Sequence, residues 1–228
     1  MLALLSMTFP KICHGEERIS ASRTVTGNVL FLQSSKAYTA VTAPPSSMHS
    51  YDQLLELMTK RRSIRYFSDA PIDRKSLEKI LEAGRISPSV ENVQPWHFHV
   101  IADAALKAKL METSCYGNFI AGSGVFIVLT CDRSSSAGAH CTMWNPREME
   151  YSCAMAAYSM MLLATSMEIG SCWVSLHHGP AHDALKLKDH QIVVGGLMLG
   201  HMKKGDEEAS REHQRKPMES MVTYHGKM

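Results

Sequence analysis

No stretch of this sequence stays apolar for the ~20 residues that a membrane-spanning helix requires, and the chain carries almost no net charge. Its 24 Lys and Arg residues face 22 Asp and Glu, leaving +2 at pH 7. That is too little for the chain-wide basic field that grips nucleic acid. C-x-x-C pairs are missing too, the six cysteines Cys13, Cys115, Cys131, Cys141, Cys153 and Cys172 being scattered. An even count permits disulfides, but a chain with room for a large core does not need them, so reduced thiols and a cytoplasmic location are expected. Residues 1–9 (MLALLSMTF) look faintly like the opening of a signal peptide. They lack a basic start, the apolar run breaks at Ser6, and no small-x-small cleavage site follows promptly. Internal repeats and the G-x-G-x-x-G nucleotide fingerprint are also absent.

What is present is a chain of 228 residues, 45% apolar and 20% charged, the mix of a soluble globular protein with a sizeable core. That length suits one domain with something to spare. Methionine is unusually common, its 16 copies equalling Phe, Tyr and Trp combined. Met fills irregular gaps, so most of these side chains are expected in the core, a permissive binding cleft being the alternative.

Residues 1–47 show no sustained periodicity and end in Thr42-Ala43-Pro44-Pro45-Ser46-Ser47, which resembles a linker. They read as an N-terminal extension: a mobile arm, the product of an upstream start codon with Met48 the true start, or an arm that packs on a partner subunit. Residues 48–228 form the domain, with a polar tail over 203–228. Tyr51, Leu54, Leu55 and Met58 mark one face of a first helix. Asp73 is placed to cap a second, whose buried stripe is Leu77, Ile80 and Leu81 and which Gly84 is placed to end. Strands are expected over 96–101, 124–130, 171–175 and 191–199. Short helices are expected near Leu106 and near 181–187, and a long central helix over 146–169. The alternation of helices and strands leaves α/β and α+β both open.

Two stretches carry chemistry. Lys60-Arg61-Arg62-Ser63-Ile64-Arg65 sets fork-shaped donors and a hydroxyl at a helix end, suited to phosphate oxygens or simply to the negative end of that helix. The loop Ser87-Pro88-Ser89-Val90-Glu91-Asn92-Val93-Gln94-Pro95-Trp96 is stiffened by prolines. Ser89, Asn92 and Gln94 each offer a donor and an acceptor, matching a planar heterocycle or their own backbone.

Together the two stretches resemble the flavin-dependent nitroreductase family, whose signature is R-R-S-x-R-x-F, a helix, then S-P-S-x-x-N-x-Q-P-W-x-F. This chain reads R-R-S-I-R-Y-F over 61–67 and S-P-S-V-E-N-V-Q-P-W-H-F over 87–98, with every fixed position kept. A looser likeness extends over residues 50–228, and residues 1–47 have no counterpart. The resemblance implies an α+β fold of three layers, α/β/α, around a mixed, mainly antiparallel sheet, assembled as an intertwined homodimer with FMN at the subunit interface. It implies that Arg61, Arg62, Ser63 and Arg65 hold the phosphate and ribityl end of FMN. Pro88, Ser89, Asn92 and Gln94 of the other subunit would line the isoalloxazine. Asn118 would meet the ring edge, and the backbone of the run through Trp173, Val174 and Ser175 would approach N5 and O4. Arg215 would return to the phosphate.

The implied activity is hydride transfer from NADH or NADPH to flavin N5, then reduction of a nitroaromatic, quinone or similar small-molecule acceptor in the same pocket. The cofactor carries the chemistry, so no separate nicotinamide fingerprint and no catalytic side chain is nominated. FMN storage or sensing without turnover, and other flavin chemistry such as dehalogenation or flavin breakdown, are the alternatives. Two departures stand out: Tyr158-Ser159 where relatives carry Gln-Asn, and Ser175-Leu176 where many carry glycine or Glu-Gly. His177-His178-x-x-x-His182 lacks the glutamate of H-E-x-x-H, and Gly179-Pro180 is expected to interrupt the backbone between its histidines, so no metal is assigned. No cysteine stands in an evident activating context.

Overall fold

A computed structural model describes residues 51–114, 117–135, 147–203 and 214–226. The N-terminal extension and Cys13, Cys115 and Cys141 lie outside the described residues. The elements run α1 (Tyr51–Lys60), α2 (Arg74–Arg85), β1 (Trp96–Ile101), α3 (Ala104–Met111), α4 (Asn118–Ala121), β2 (Val125–Asp132), α5 (Glu148–Ser166), β3 (Ile169–Val174), α6 (His178–Leu185) and β4 (Gln191–His201). The strands form one sheet in the order β1-β2-β4-β3, and every neighbouring pair is antiparallel. The parallel component among the described residues is a single bridge, Ser63 to Ser171.

Strand periodicity explains the layering. Side chains alternate faces along a strand, so Val125, Ile127 and Leu129 of β2 meet Ile80 of α2 and Ala157 and Met160 of α5. Phe126 and Val128 point the other way, to Leu110, Ile120 and Ala181 of α3, α4 and α6. A strand sandwiched like this can be apolar throughout, and β2 is buried from Val125 to Cys131. The result is the expected α+β three-layer sandwich. α5 is central, burying Met149, Cys153, Ala156, Met160 and Ala164 among others.

The helix ends show local chemistry at work. Asp73 caps α2, its carboxylate accepting from Ser76 N–H at 2.9 Å. Gly84 does not end that helix. It lies inside the last turn, buried, where an added Cβ would come within 2.8 Å of Met160 Sδ and Phe98 Cζ, so its missing side chain lets α2 close on α5. The helix stops at Arg85, and Ile86, which follows it, bonds its N–H back to the Glu82 and Gly84 carbonyls. The methionines divide between core (Met149, Met160, Met161, Met198) and surface (Met155, Met202, Met218, Met221).

Candidate functional site

The basic run is fixed by the sheet. After α1 the chain pairs first with β3 and then with the end of β4, Ile64 N–H donating to Ser171 O at 2.9 Å and Ser68 N–H to His201 O at 2.8 Å. Ile64 is buried between, which anchors Arg61, Arg62, Ser63 and Arg65 at the start of β3. Arg62 turns back on the carbonyls of Thr59 and Arg61, so its guanidinium serves the end of α1. Arg65 reaches Ser63 O at 3.3 Å, and Lys60 pairs with Glu56 at 2.7 Å. Two polar atoms here are buried without a hydrogen-bond partner: Arg61 Nε and Ser171 Oγ. An unmet buried donor costs ~1–3 kcal/mol, so such a pair marks a place where a ligand oxygen would be gained. Ser171 lines a cavity of about 280 Å³ together with Lys60, Arg62, Thr165, Glu168 and Gly170. The donor set suits an anionic, oxygen-rich group. Thr165 and Glu168 carry no signal in the sequence. They line the cavity because α5 ends there, with Glu168 turning the chain into β3 at φ 58°.

The loop from Ser87 to Pro95 is built on the other side of the molecule. Ser87 Oγ bonds Ala83 O at 2.9 Å and Ser159 Oγ at 2.8 Å, so the Tyr158-Ser159 departure supplies an anchor for the loop. Val90 N–H donates to Ser152 Oγ at 3.1 Å. Ser89 Oγ accepts from Gln94 N–H at 3.0 Å, and the Gln94 amide reaches Asn92 at 3.2 Å. Glu91, Asn92 and Gln94 all hold positive φ (42°, 57° and 50°), conformations that cluster at ligand-binding sites. Pro88, Asn92 and Gln94 are exposed.

Within the chain the two constellations do not meet. The basic run is tied to β3 at one sheet edge, while the loop leads into β1 at the other. Three inter-strand steps of ~4.8 Å, with the six-residue offset from Val125 to Cys131 at ~3.3 Å per residue, set them roughly 24 Å apart.

The remaining predicted residues fall as follows. Trp173 and Val174 are in β3, and Ser175 is exposed just past its end. Asn118 opens α4, and its neighbour Phe119 meets Tyr66 edge-to-face with ring centroids 5.5 Å apart, which brings α4 to the end of the basic run. Arg215 stands on an exposed tail. The histidine cluster differs from expectation in its backbone. α6 runs unbroken from His178 to Leu185, because Pro180 lies in the first turn, where helix N–H groups have no partner anyway. His178 Nδ1 accepts from Val193 N–H at 3.2 Å and His182 Nε2 lies 3.1 Å from Lys188 O. Both rings thereby serve the local fold.

The family model for nitroreductases matches residues 58–201, a span that holds both motifs and all four strands. A protein of Archaeoglobus fulgidus, provisionally named an NADH dehydrogenase/NAD(P)H nitroreductase, is 30% identical over 159 residues, 67% of this chain and 87% of its own. The 5,6-dimethylbenzimidazole synthase of Rhodospirillum rubrum is 27% identical over 149 residues, 55% of this chain and 70% of its own. A provisionally named nitroreductase of Desulfovibrio desulfuricans, solved in complex with FMN, superposes with a TM-score of 0.67 at 25% identity, covering 78% of this chain and 100% of its own. Motif, fold and sequence thus agree over most of the chain, which belongs to the nitroreductase family.

Proposed function

We propose that the protein is an FMN-dependent oxidoreductase that takes hydride from NADH or NADPH and passes the electrons to a nitroaromatic, quinone or similar acceptor, one substrate leaving before the next enters. FMN, when bound, supplies the hydride-accepting N5 and the electron-donating chemistry. The protein's part is to bind and orient. Arg61, Arg62, Ser63 and Arg65 would hold the phosphate and ribityl end, with Ser171 Oγ as a further donor. Pro88, Ser89, Asn92 and Gln94 of a second copy of the chain would line the ring, with Asn118 at its edge and Trp173, Val174 and Ser175 carrying the backbone beneath it. Arg215 would come to the phosphate from the tail.

The observation that carries this reading is the buried, unpartnered Ser171 Oγ in a cavity it lines with Lys60 and Arg62, together with the unpartnered Arg61 Nε in the same basic run. The ~24 Å gap between the two motifs within one subunit supports a homodimer in which loop and basic run come from different copies. Residues 48–228 would make up the FMN-binding domain. A cytoplasmic setting would keep the thiols of Cys131, Cys153 and Cys172, all buried, reduced.

Other flavin chemistry on the same scaffold is the second reading, favoured by the Rhodospirillum rubrum relative named 5,6-dimethylbenzimidazole synthase and by the unusual Ser175-Leu176. The test is direct. Purified protein should be yellow, with absorbance near ~450 nm from an oxidised flavin. It should bleach anaerobically with NADH or NADPH and recover colour when a nitroaromatic or quinone is added. A colourless protein that takes up no FMN would overturn the cofactor assignment. A yellow protein that never bleaches would overturn the reductase.

A further inference from the structure

α5 carries Ser152 and Ser159, and at 3.6 residues per turn their seven-residue spacing brings both to one face of the helix. A serine inside a helix can send its hydroxyl hydrogen back to the carbonyl four residues earlier, keeping its lone pairs for other donors. Ser152 does so with Glu148 O at 2.8 Å, and Ser159 with Met155 O at 3.1 Å. Both oxygens then meet the loop that leads into β1. Ser152 Oγ accepts from Val90 N–H at 3.1 Å. Ser159 Oγ lies 2.8 Å from Ser87 Oγ, whose one hydrogen has two acceptors in reach. Ala83 O, at 2.9 Å, belongs to the last turn of α2; the bond to Ser159 is the one that crosses to α5. Ser152 and Ser87 are buried, so water is poorly placed to replace either bond.

The loop needs such ties. Glu91, Asn92 and Gln94 hold left-handed backbone, which costs a non-glycine residue free energy and persists only where surrounding contacts over-determine it. Bonds within the loop set its curl: Asn92 N–H to Ser89 O and Val93 N–H to Val90 O, both at 3.0 Å, and Gln94 N–H to Ser89 Oγ at 3.0 Å. They do not fix where the curl sits on the fold. Val90 and Val93 pack on Cys131, Met149 and Cys153, but apolar contact is non-directional. Direction comes at the exit from Asp132 N–H of β2, which donates to Pro95 O at 2.7 Å, and at the entry and middle from the two serines. We propose that Ser152 and Ser159 are positioning residues, a two-point clamp on α5 that holds the loop from 87 to 95 in its strained form and so presents Asn92 and Gln94 to the flavin ring of a second copy. The clamp stands on the geometry of one chain; its service to the ring rests on the FMN reading above.

The test separates the two. Purified full-length Ser152→Ala, Ser159→Ala and Ser159→Thr are compared with Ser166→Ala, which removes an α5 hydroxyl whose bond, to Leu163 O at 2.7 Å, stays within the helix. In the proteins as purified, amide exchange at Asn92, Val93 and Gln94 should rise several-fold in both alanine variants, although none of these amides bonds to either serine. Ser159→Thr, which keeps the hydroxyl, and Ser166→Ala should exchange like the wild type. A rise confined to Val90 in Ser152→Ala, with none in Ser159→Ala, would overturn the clamp, as would an equal rise in Ser166→Ala. Ser159 is half-buried, so its two variants decide the question even if Ser152→Ala folds poorly. Loaded with FMN, the alanine variants should show altered visible circular dichroism of the flavin and several-fold slower bleaching by NADH or NADPH, and Ser159→Thr should restore both. Raised exchange beside an unaltered flavin signal would overturn the clamp's service to the ring. A chain that takes up no FMN at all would overturn the cofactor reading instead, and the exchange data would still decide the clamp.

Discussion

Arg61 concentrates the chemistry of the basic run, because its Nε is buried beside β3 with no partner while Arg62 already serves the end of α1. A charge-assisted hydrogen bond contributes ~1.5–3 kcal/mol, so Arg61→Ala should weaken FMN binding roughly ten- to hundred-fold in a fluorescence titration at limiting flavin. Arg65→Ala should do the same. Unchanged affinity in both would remove the phosphate from this corner. Burial, with help from neighbouring His97, lowers the His99 pKa below its ordinary 6.5. The unfolded chain then takes up that proton first, so stability is retained above pH 6.5 and declines as pH falls below it. His99→Gln removes the effect, and between pH 8 and pH 5.5, a span chosen to straddle ~6.5, the urea midpoint of this variant should fall less than that of the wild type. At this scale the sequence was legible where chemistry demands particular residues in a row, as in the basic run and the Ser-Pro-Ser loop. Thr165, Glu168 and Ser171 were not legible as cavity residues. They matter through where α5 stops and β3 begins, and no local spacing encodes that meeting.

Periodicity carried most of the element assignments, since alternation and three-four spacing are direct consequences of strand and helix geometry. β1 runs over the expected residues and β2 is apolar on both faces, as its sequence implied. Glycine and proline were where the reading slipped. Gly84 looked like a helix terminator and is a close-packing residue, and Gly179-Pro180 looked like a break and is a helical first turn. Both residue types have several uses, and which one applies depends on a neighbour that comes from elsewhere in the chain. The same holds for Gly195 and Gly196 in β4. A Cβ on Gly195 would fall inside the Trp173 indole, and one on Gly196 inside the Phe126 ring, so the two glycines open opposite faces of β4 to large side chains. Gly195→Ala should therefore destabilise by ~1–3 kcal/mol through overpacking, read as a lower urea midpoint. If the indole is the obstacle, Trp173→Phe in the same chain should restore part of that loss, because contacting sites are not additive. Equal losses with and without the indole would place the strain elsewhere.

The whole molecule exposes what a single folded chain should hide. The α1 stripe that periodicity marks as apolar is turned outward, with Tyr51 76%, Leu54 48% and Leu55 47% exposed, and Tyr151, Met155 and Tyr158 of α5 are exposed as well. The tail presents Met218, Met221 and Tyr224 to solvent. Contiguous exposed apolar faces mark association surfaces, and here they accompany two sequence motifs that the single chain keeps apart. An amphipathic stripe reads the same whether it faces its own core or a partner's, which is why periodicity found α1 without finding its place. The proposed homodimer gives the stripe a partner and the basic run a loop. It also makes flavin retention depend on assembly. Leu54→Glu combined with Leu55→Glu puts two charges on the α1 face without touching either motif. Sedimentation velocity should then show a monomer where the wild type is a dimer, helical circular dichroism should be preserved, and the yellow colour should be lost on gel filtration. A dimeric, flavin-loaded double variant would place the interface elsewhere. A monomer that kept its flavin would mean that the basic run and β3 hold the cofactor without the second copy's loop, and the separation of the two motifs would then have another cause.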